Sequence, residues 1–589
     1  MRPRYLVFLR DRAAALLDGP ALAAKLGLAL AEERPGFTAF IAGSARSYAL
    51  GDARVLGTLF PRFGPAKPIE PHALEDGGEA DERVVEERLL TRFYGGYIAF
   101  LPSARGFRIL RDPSGALPCY FTEASGGFVL ASDVDLLLAA GLPLPSVNWG
   151  GLLRFHYLRG LPTPETCLDR VEELLPGYAI DISKGAVDQR IRWSPWEHVA
   201  QDGEQNGLSR PAHLRRVVQA SVDALTSSCE RMLVSVSGGV DSSIVAACLA
   251  KAGRDVRCVT MFTEDPAGDE RFYARSLCDH LGLPLFERPY RVELVDIDAP
   301  ISPHLPRPVG RSLTQAYDHE HLHIAQEMGA DAFVTGNGGD NVFGFSQSAA
   351  ALVDLYMRRG LTSALIGALR DICRQTGSGP TAVLRAALRA RRRGYRWTPG
   401  PMFLNPAMIA AVAPHYLHQP WLDPPPGTGP AKAAHVAAVL RVQQLLEPAR
   451  QWHAPVITPL IAQPVLETCL AIPSWQWRAG GRDRAVARDA FASDLPAAVT
   501  RRRTKGGPDG FAAIVMDRYR DAIRDRLLDG HLARNGVTDR SALEARFRSD
   551  LPFSGEEAAC LLNLADTEAW IGAWRGRSSA TPRQTDAAV

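Results

Sequence analysis

Apolar and polar positions along the chain follow two rhythms. Up to about Trp196, short apolar runs at 5–9, 97–100, 107–110 and 127–130 are separated by Gly- and Pro-containing breaks. Runs of this length between turn formers predict strands, so residues 1–200 are expected to form a β-rich first domain. The run at 5–9, flanked by Arg2, Arg4, Arg10 and Arg12, is too short for a signal peptide or a membrane span and reads as the first strand of a soluble protein. A polar stretch at 201–207 reads as a linker. Beyond it the rhythm changes: strand-like runs over 232–236, 256–261 and 332–335 alternate with helical periodicity at 243–252 and 271–281. That alternation predicts a parallel α/β sheet over 208–575, with ligands at the carboxyl ends of its strands. Residues 361–430 are rich in Arg, Pro and Ala, and the cluster at 389–396 reads as a solvated helix face. Residues 576–589 turn small and polar and read as a disordered tail.

Composition narrows the classes. A chain of 589 residues, 46% hydrophobic, can bury at least two cores. The formal net charge of +2 gives no global electrostatic footprint for nucleic acid. Nine cysteines without a CxxC pair argue against a zinc site or a disulfide framework, so reduced thiols in a cytoplasmic protein are expected.

The chemistry concentrates in Ser235-Val236-Ser237-Gly238-Gly239-Val240-Asp241-Ser242-Ser243, between the apolar run Met232-Leu233-Val234 and a helix-like run from Ile244 to Leu249. Strand, Gly-rich turn and helix start is the order that holds a phosphate. Gly238 and Gly239 let the backbone turn so that several N–H groups face one anion, and the helix N-terminus adds to the field. Ser237, Ser242 and Ser243 carry further donors. A Walker lysine is missing and an aspartate lies in the turn, which suits a magnesium–pyrophosphate group better than transfer of a γ-phosphate. The segment resembles the pyrophosphate loop of ATP pyrophosphatases.

Several ordered stretches extend the resemblance. The segment from Arg111-Asp112-Pro113 through Gly115 and Pro118 to Tyr120, with Ala131-Ser132-Asp133, is similar to motifs of class II glutamine amidotransferase domains; Thr166 to Tyr178 is similar to the stretch that ends them. Gly268-Asp269-Glu270, Thr335-Gly336-Asn337-Gly338-Gly339-Asp340, Thr458-Pro459-Leu460 and Arg501-Arg502-Arg503-Thr504-Lys505 follow in the order of asparagine synthetases. The resemblance implies an N-terminal Ntn-type β sandwich and a C-terminal ATP pyrophosphatase-like α/β domain, with ATP and Mg²⁺ as cofactors. It implies Asp241 and Asp340 as magnesium ligands, Ser235, Met261 and Gly336 as nucleotide contacts, and Lys505 as the cation that stabilises the transition states. Lys505 is one of six lysines among 67 basic residues, which sets it apart from its arginine neighbours.

Two departures redirect the expectation. Glutamine-using relatives need a cysteine directly after the initiator methionine, as nucleophile with its own α-amine as base; here Arg2 stands there, and no glutaminase activity is expected. Asn337 takes the place of a glutamate of asparagine synthetases, and Glu447 is a candidate base, or equally a helix-end carboxylate before Pro448. An amine already present in the substrate then closes an amide. With the long 361–430 insertion, which could line a larger substrate cavity, the chain looks most like a lasso peptide cyclase. Such an enzyme adenylates an Asp or Glu side chain of a precursor core peptide and joins it to the N-terminal amine, working beside a leader peptidase and a leader-binding protein. A β-lactam synthetase-like or other small-molecule amide synthetase is the alternative; a silent scaffold homologue and a tRNA-modifying pyrophosphatase are further ones. No membrane and no nucleic-acid partner is expected.

Overall fold

The uninterrupted apolar run at the N-terminus forms a strand with both faces covered. In this computed structural model, residues 2–10, 24, 26–71, 81–103, 106–124, 127–183, 186–199, 209–264, 268–412, 414–443, 449–502 and 509–577 are described. The first part contributes β1 (Arg4–Arg10), β2 (Ala29–Arg34), β3 (Phe37–Ala42), β4 (Arg46–Leu50), β5 (Ala53–Pro61), β6 (Phe93–Ser103), β7 (Gly106–Arg111), β8 (Tyr120–Ala124), β9 (Gly127–Ala131), β10 (Glu172–Glu173), β11 (Tyr178–Ser183) and β12 (Ala186–Ile191). They pair antiparallel into two six-stranded sheets, ordered β10-β8-β9-β1-β3-β2 and β12-β11-β7-β6-β5-β4. Tyr5, Val7 and Leu9 share the inter-sheet core with Ile98, Phe100, Ile109 and Ile180. Leu6 and Phe8 alternate to the other face, where they join Leu136, Leu152 and, from the far end of the chain, Phe511, Leu561 and Trp570. The outer face of the second sheet is covered by Val85 and Leu89 of the helix Glu82–Arg92. Helix, sheet, sheet and helix layers result, and the outermost layer is drawn partly from the C-terminus.

The expected parallel sheet follows. It comprises β13 (Arg231–Ser235), β14 (Asp255–Phe262), β15 (Leu285–Pro289), β16 (Ala332–Val334) and β17 (Val456–Ile457), all parallel, in the order β15-β14-β13-β16-β17. Met232 and Val234 pack on Ile244 and Val245 of α1 (Val240–Lys251), whereas Leu233 packs with Ile324 and Met328 of α2 (Thr314–Met328). Both faces are buried, which is why these strands read as solid apolar runs. The edge strands β15 and β17 had no counterpart in the pattern reading. Helix α1 begins three residues earlier than its periodicity suggests, because Gly239, extended at φ −76° and ψ 156°, serves as N-cap and Asp241 occupies the first turn, where a carboxylate suits the helix dipole.

The first part of the insertion folds as α4 (Ala364–Thr376) and α5 (Pro380–Arg393), which pack on the preceding α3 (Ala350–Arg359) around a small core of Leu352, Val353, Ile372, Val383 and Ala387. Arg389, Arg391, Arg392, Arg393 and Arg396 are exposed, as a solvated face requires. Next, α6 (Pro430–Val442) puts Ala437 and Leu440 into the sandwich core, and Gln443 just beyond it donates to the Pro113 carbonyl at 2.5 Å. The Arg111-Asp112 motif serves this junction. Arg111, fully buried, donates to Glu173 (2.8 Å) and to the carbonyls of Gly115, Leu117 and Leu174, while Asp112 accepts from the amides of Ser114 and Gly115. The last helix, α7 (Gly555–Gly576), carries the chain into the expected tail; Arg577 is still tied to Asp135 at 2.6 Å, so the polar tail begins later than 576. The linker at 201–207 and residues 578–589 lie outside the described residues. Among the described residues no helix is long and apolar enough to cross a membrane.

Candidate active site

The end of β13 delivers Ser235, Val236 and Ser237 to the mouth of a cavity of about 330 Å³, and the loop after β16 delivers Thr335 to Asp340 to the same place. Of the residues singled out in the sequence, Ser235, Ser237, Gly239, Asp241, Ser242, Met261, Gly336 and Asp340 line this cavity, and so does Asn337. Gly238 and Ser243 do not. Gly238 sits behind the turn at φ +60°, where a Cβ would lie 2.2 Å from Tyr273 Cβ, so it shapes the loop without facing a ligand. Ser243 is fully buried in the first turn of α1, behind the cavity wall, and its hydroxyl has no hydrogen-bond partner among the described residues. Glu447 and Lys505 lie outside the described residues.

The two loops approach backbone to backbone. A Cβ on Gly336 would stand 2.5 Å from Ser242 N, and one on Gly339 would stand 2.4 Å from Asp241 Cβ. Only glycine permits this spacing, which brings Asp340 beside Asp241. Both carboxylates bind the guanidinium of Arg484: Asp241 Oδ2 accepts from Nη1 at 2.9 Å, and Asp340 Oδ1 accepts from the same nitrogen. Arg484 Nε also donates to Asp483 (2.8 Å), and the guanidinium lies 5.2 Å from the centre of the Phe345 ring. Burial works against its charge, but Asp241, Asp340 and Asp483 outweigh that and hold its pKa above the usual arginine range. Its backbone has φ +50°, a left-handed conformation costing a non-glycine residue about 1–2 kcal/mol. Arg484 was absent from the sequence reading, as were Tyr317 and His321, which hold Ser235. The charged string Arg482-Asp483-Arg484 after Gly480-Gly481 was its signal.

A second network orients Ser235. His321 Nδ1 faces the Tyr317 carbonyl at 2.7 Å, a contact only an N–H satisfies, so Nε2 is the acceptor of the Ser235 hydroxyl at 2.9 Å. Tyr317 donates in turn to Ser235 Oγ. Burial keeps His321 neutral, with a pKa well below the ordinary value. On the far side of the loop Arg502 donates to the Ser237 carbonyl (3.0 Å) and Glu270 (2.7 Å) and stacks over Tyr273 at 3.8 Å.

The donor set fits Mg²⁺ with a phosphate chain. Two hard carboxylates already converge on one cationic group, beside loop amides and the N-terminus of α1. Among the described residues no cluster of three or more His, Cys, Asp or Glu side chains could hold a metal ion. Arg484 holds the place of that charge. Arg484→Gln is therefore expected to raise the affinity of the nucleotide-free protein for Mn²⁺ about tenfold or more, because two close carboxylates lose a shared counter-charge. Electron paramagnetic resonance titration reads this directly, and an unchanged affinity would separate Arg484 from the metal position.

In the first domain Arg2 is buried, with its guanidinium on Asp133 (2.6 Å) and His304 Nε2 (3.0 Å) and over the Trp452 ring at 4.6 Å. All nine cysteines are buried or half-buried, and burial pushes Cys119 and Cys167 up to about 12.

Comparison with known proteins gives three kinds of likeness. The chain is 31% identical over 124 residues to the tRNA-specific 2-thiouridylase MnmA of Caulobacter vibrioides and 32% identical over 124 residues to that of Azorhizobium caulinodans. These matches cover 18% of this chain and 32% of each relative, so the chain spans about a third of the length of the curated relatives it matches. Among solved structures, the allosteric regulatory enzyme of purine biosynthesis aligns at 11% identity and TM-score 0.21 over 57% of this chain and 89% of its own. Glutamine phosphoribosylpyrophosphate amidotransferase from B. subtilis aligns at 11% and 0.20, over 57% of this chain and 90% of its own. The family described as asparagine synthase matches residues 213–572, more than half of the chain and the part that carries the cavity, Asp241, Asp340 and Arg484; the chain belongs to the asparagine synthase family.

Proposed function

We propose that this protein is an ATP-dependent, AMP-forming macrolactam synthetase that activates an Asp or Glu side chain of a precursor core peptide and joins it to the peptide's own N-terminal amine. The family implies ATP-dependent amide-bond synthesis. The observation that carries the reading is the convergence of Asp241 and Asp340 beside the phosphate loop, at the carboxyl end of a parallel sheet. In the first step a substrate carboxylate oxygen attacks the α-phosphorus of ATP, the bond to the bridging oxygen breaks, and pyrophosphate leaves. In the second, the amine attacks the activated carbonyl, AMP departs, and the amine gives up its proton.

This chain's residues hold the parts. The amides of the 237–242 turn and the hydroxyls of Ser237 and Ser242 take the phosphates, and Ser235, held by Tyr317 and His321, and Met261 flank the nucleoside. Asp241 and Asp340 would hold Mg²⁺, which would supply positive charge against the leaving pyrophosphate. Lys505 is proposed to stabilise the oxyanions, and Glu447 to accept the amine's proton. In the first domain the thiols, Cys119 and Cys167, are buried and pushed up to about 12, which supports an amine that comes from the substrate rather than from glutamine. A leader peptidase and a leader-binding protein are the proposed partners.

One observation favours a small-molecule amide synthetase, β-lactam-forming or other, as second reading. The cavity is of ordinary small-ligand size, and residues of 361–430, considered as lining for a larger one, contribute nothing to it among the described residues. Intact mass spectrometry decides. Candidate core peptides encoded near this gene, freed of leader and incubated with the protein, ATP and Mg²⁺, are expected to return lighter by one water, with AMP and pyrophosphate released. Unchanged peptides alongside ATP–pyrophosphate exchange stimulated by small amino acids would overturn the peptide substrate and leave the small-molecule reading.

A further inference from the structure

The helices α4 and α5 of the insertion, with α3 before it, carry an apolar groove that the proposed reaction does not use. A cleft of about 290 Å³ runs between α4 and α5 over a floor of Leu352 and Val353. Its walls include Leu361, 87% exposed, Ile366, 55%, Leu384, 50%, and Leu388, 49%. Four large aliphatic side chains at one concave place, with none of the described residues seated on them, exceed the scattered exposure of an ordinary surface.

Charge tells what fits there. Residues 350–396 contain ten arginines against two aspartates, in a chain whose net charge is only +2. Neither aspartate of the segment faces the row of arginines on α5: Asp354 is buried, its carboxylate accepting from the amides of Ala431 (3.0 Å) and Lys432 (2.9 Å), and Asp371, on α4, forms no ion pair with an α5 arginine among the described residues. All ten arginines are exposed. On α5, Leu384, Leu388 and Arg391 lie at i, i+4 and i+7 along one wall, and Arg385, Arg389 and Arg392 repeat the spacing one residue on. Among the described residues the α5 arginines make one ring contact, Arg391 over Tyr356 at 4.6 Å, and no ion pair. An aliphatic stripe bordered by a row of unneutralised guanidiniums is complementary to a helix with aliphatic residues at i, i+4 and i+7 and carboxylates along its flank.

We propose that this groove is the docking site of a partner protein, which it takes by an acidic amphipathic helix. A bilayer is disfavoured because the apolar surface is concave, whereas helices that lie on membranes present a convex apolar face. Single-stranded nucleic acid is disfavoured because the cleft is aliphatic, and its one aromatic ring, Tyr356, is already covered by Arg391 at 4.6 Å. The place in the fold gives the contact a consequence. Helix α4 packs on Gln476–Gly481, where a Cβ on Gly481 would meet Arg374 Cβ at 2.7 Å, and Arg484 follows three residues later. A docked partner therefore stands beside the segment that leads to the carboxylate pair. The inference rests on the fold and its charge, and it holds whichever substrate the site takes.

The test uses the full chain and a labelled synthetic helical peptide with leucine at i, i+4 and i+7 and glutamate on its flanks. Fluorescence anisotropy is expected to show saturable binding that weakens about tenfold or more when salt is raised well above physiological strength. Binding is expected to fall at least about tenfold in Arg385→Glu/Arg389→Glu, and that variant is expected to take the same peptide with lysine in place of glutamate. The charge swap is a readout that structural damage does not imitate. Equal binding of a scrambled peptide, or loss without rescue by the lysine peptide, would overturn the proposal. Displacement of the peptide by phosphatidylglycerol-containing vesicles would overturn it in favour of a membrane, and a dimer that masks the groove would overturn it in favour of a second copy.

Discussion

Asp241→Asn is expected to reduce ATP-dependent turnover by at least about 10³-fold, close to 4 kcal/mol of transition-state stabilisation, while the protein stays folded. The position explains both halves. Asp241 lies in the first turn of α1 with its side chain on the cavity, so its charge acts where pyrophosphate charge develops. Asparagine has the same size and still accepts from Arg484, but it offers no anionic oxygen to a divalent cation. Arg484 keeps Asp340 and Asp483, so the buried guanidinium is not stranded, and the stability cost stays near 1–2 kcal/mol. ATP–pyrophosphate exchange measures the loss and circular dichroism the fold. Wild-type exchange in Asp241→Asn would remove Asp241 from the chemistry, whereas a wild-type protein without exchange would revive the reading of a silent scaffold.

The contrast between Asp241 and Arg484 shows what pattern reading reaches. Asp241 was legible because a strand period ends at Ser235, a helical period starts a few residues on, and two glycines stand between them. Met232 to Val234 and Tyr5 to Leu9 were legible as strands for a related reason: burial on both faces leaves no polar position to interrupt the run. The meeting of Asp340 with Asp241 was not readable from either segment alone. It depends on the crossover that sets β16 beside β13, and only family resemblance put the two together. Arg484 was hidden by abundance, since one arginine in a chain with six lysines among 67 basic residues carries no compositional signal. Its left-handed backbone, which turns it toward the two carboxylates, is imposed by tertiary contacts. The same limit explains why Phe511 and Trp570 were not foreseen on the outer face of the first sheet: apolar periodicity states that a face is buried, not which distant helix buries it.

Gly336→Ala is expected to lower turnover by about 10²-fold or more, and a pair of controls makes the reason visible. The added Cβ would lie 2.5 Å from Ser242 N, 2.7 Å from Ser242 Cα and 2.8 Å from Asp241 C, all backbone atoms that no side-chain rotation can clear. Relief requires the two loops to part by roughly 1 Å, and displacements of that size cost about 10²-fold in a site that works by positioning. Because the loops carry Asp241 and Asp340, parting them also loosens the grip on Arg484. Gly253→Ala tests the fold without the site: its Cβ would meet nothing within 4 Å, and the positive φ of +67° alone sets a cost of about 1 kcal/mol in stability, with exchange activity unchanged. Gly239→Ala is intermediate, since the only close atom is the hydroxyl oxygen of Ser237 at 3.2 Å, which can rotate away. The order of damage in ATP–pyrophosphate exchange is therefore Gly336→Ala, then Gly239→Ala, then Gly253→Ala. A Gly336→Ala protein as active as the wild type would mean that the two loops need not touch, and the pairing of Asp241 with Asp340 would lose its structural basis.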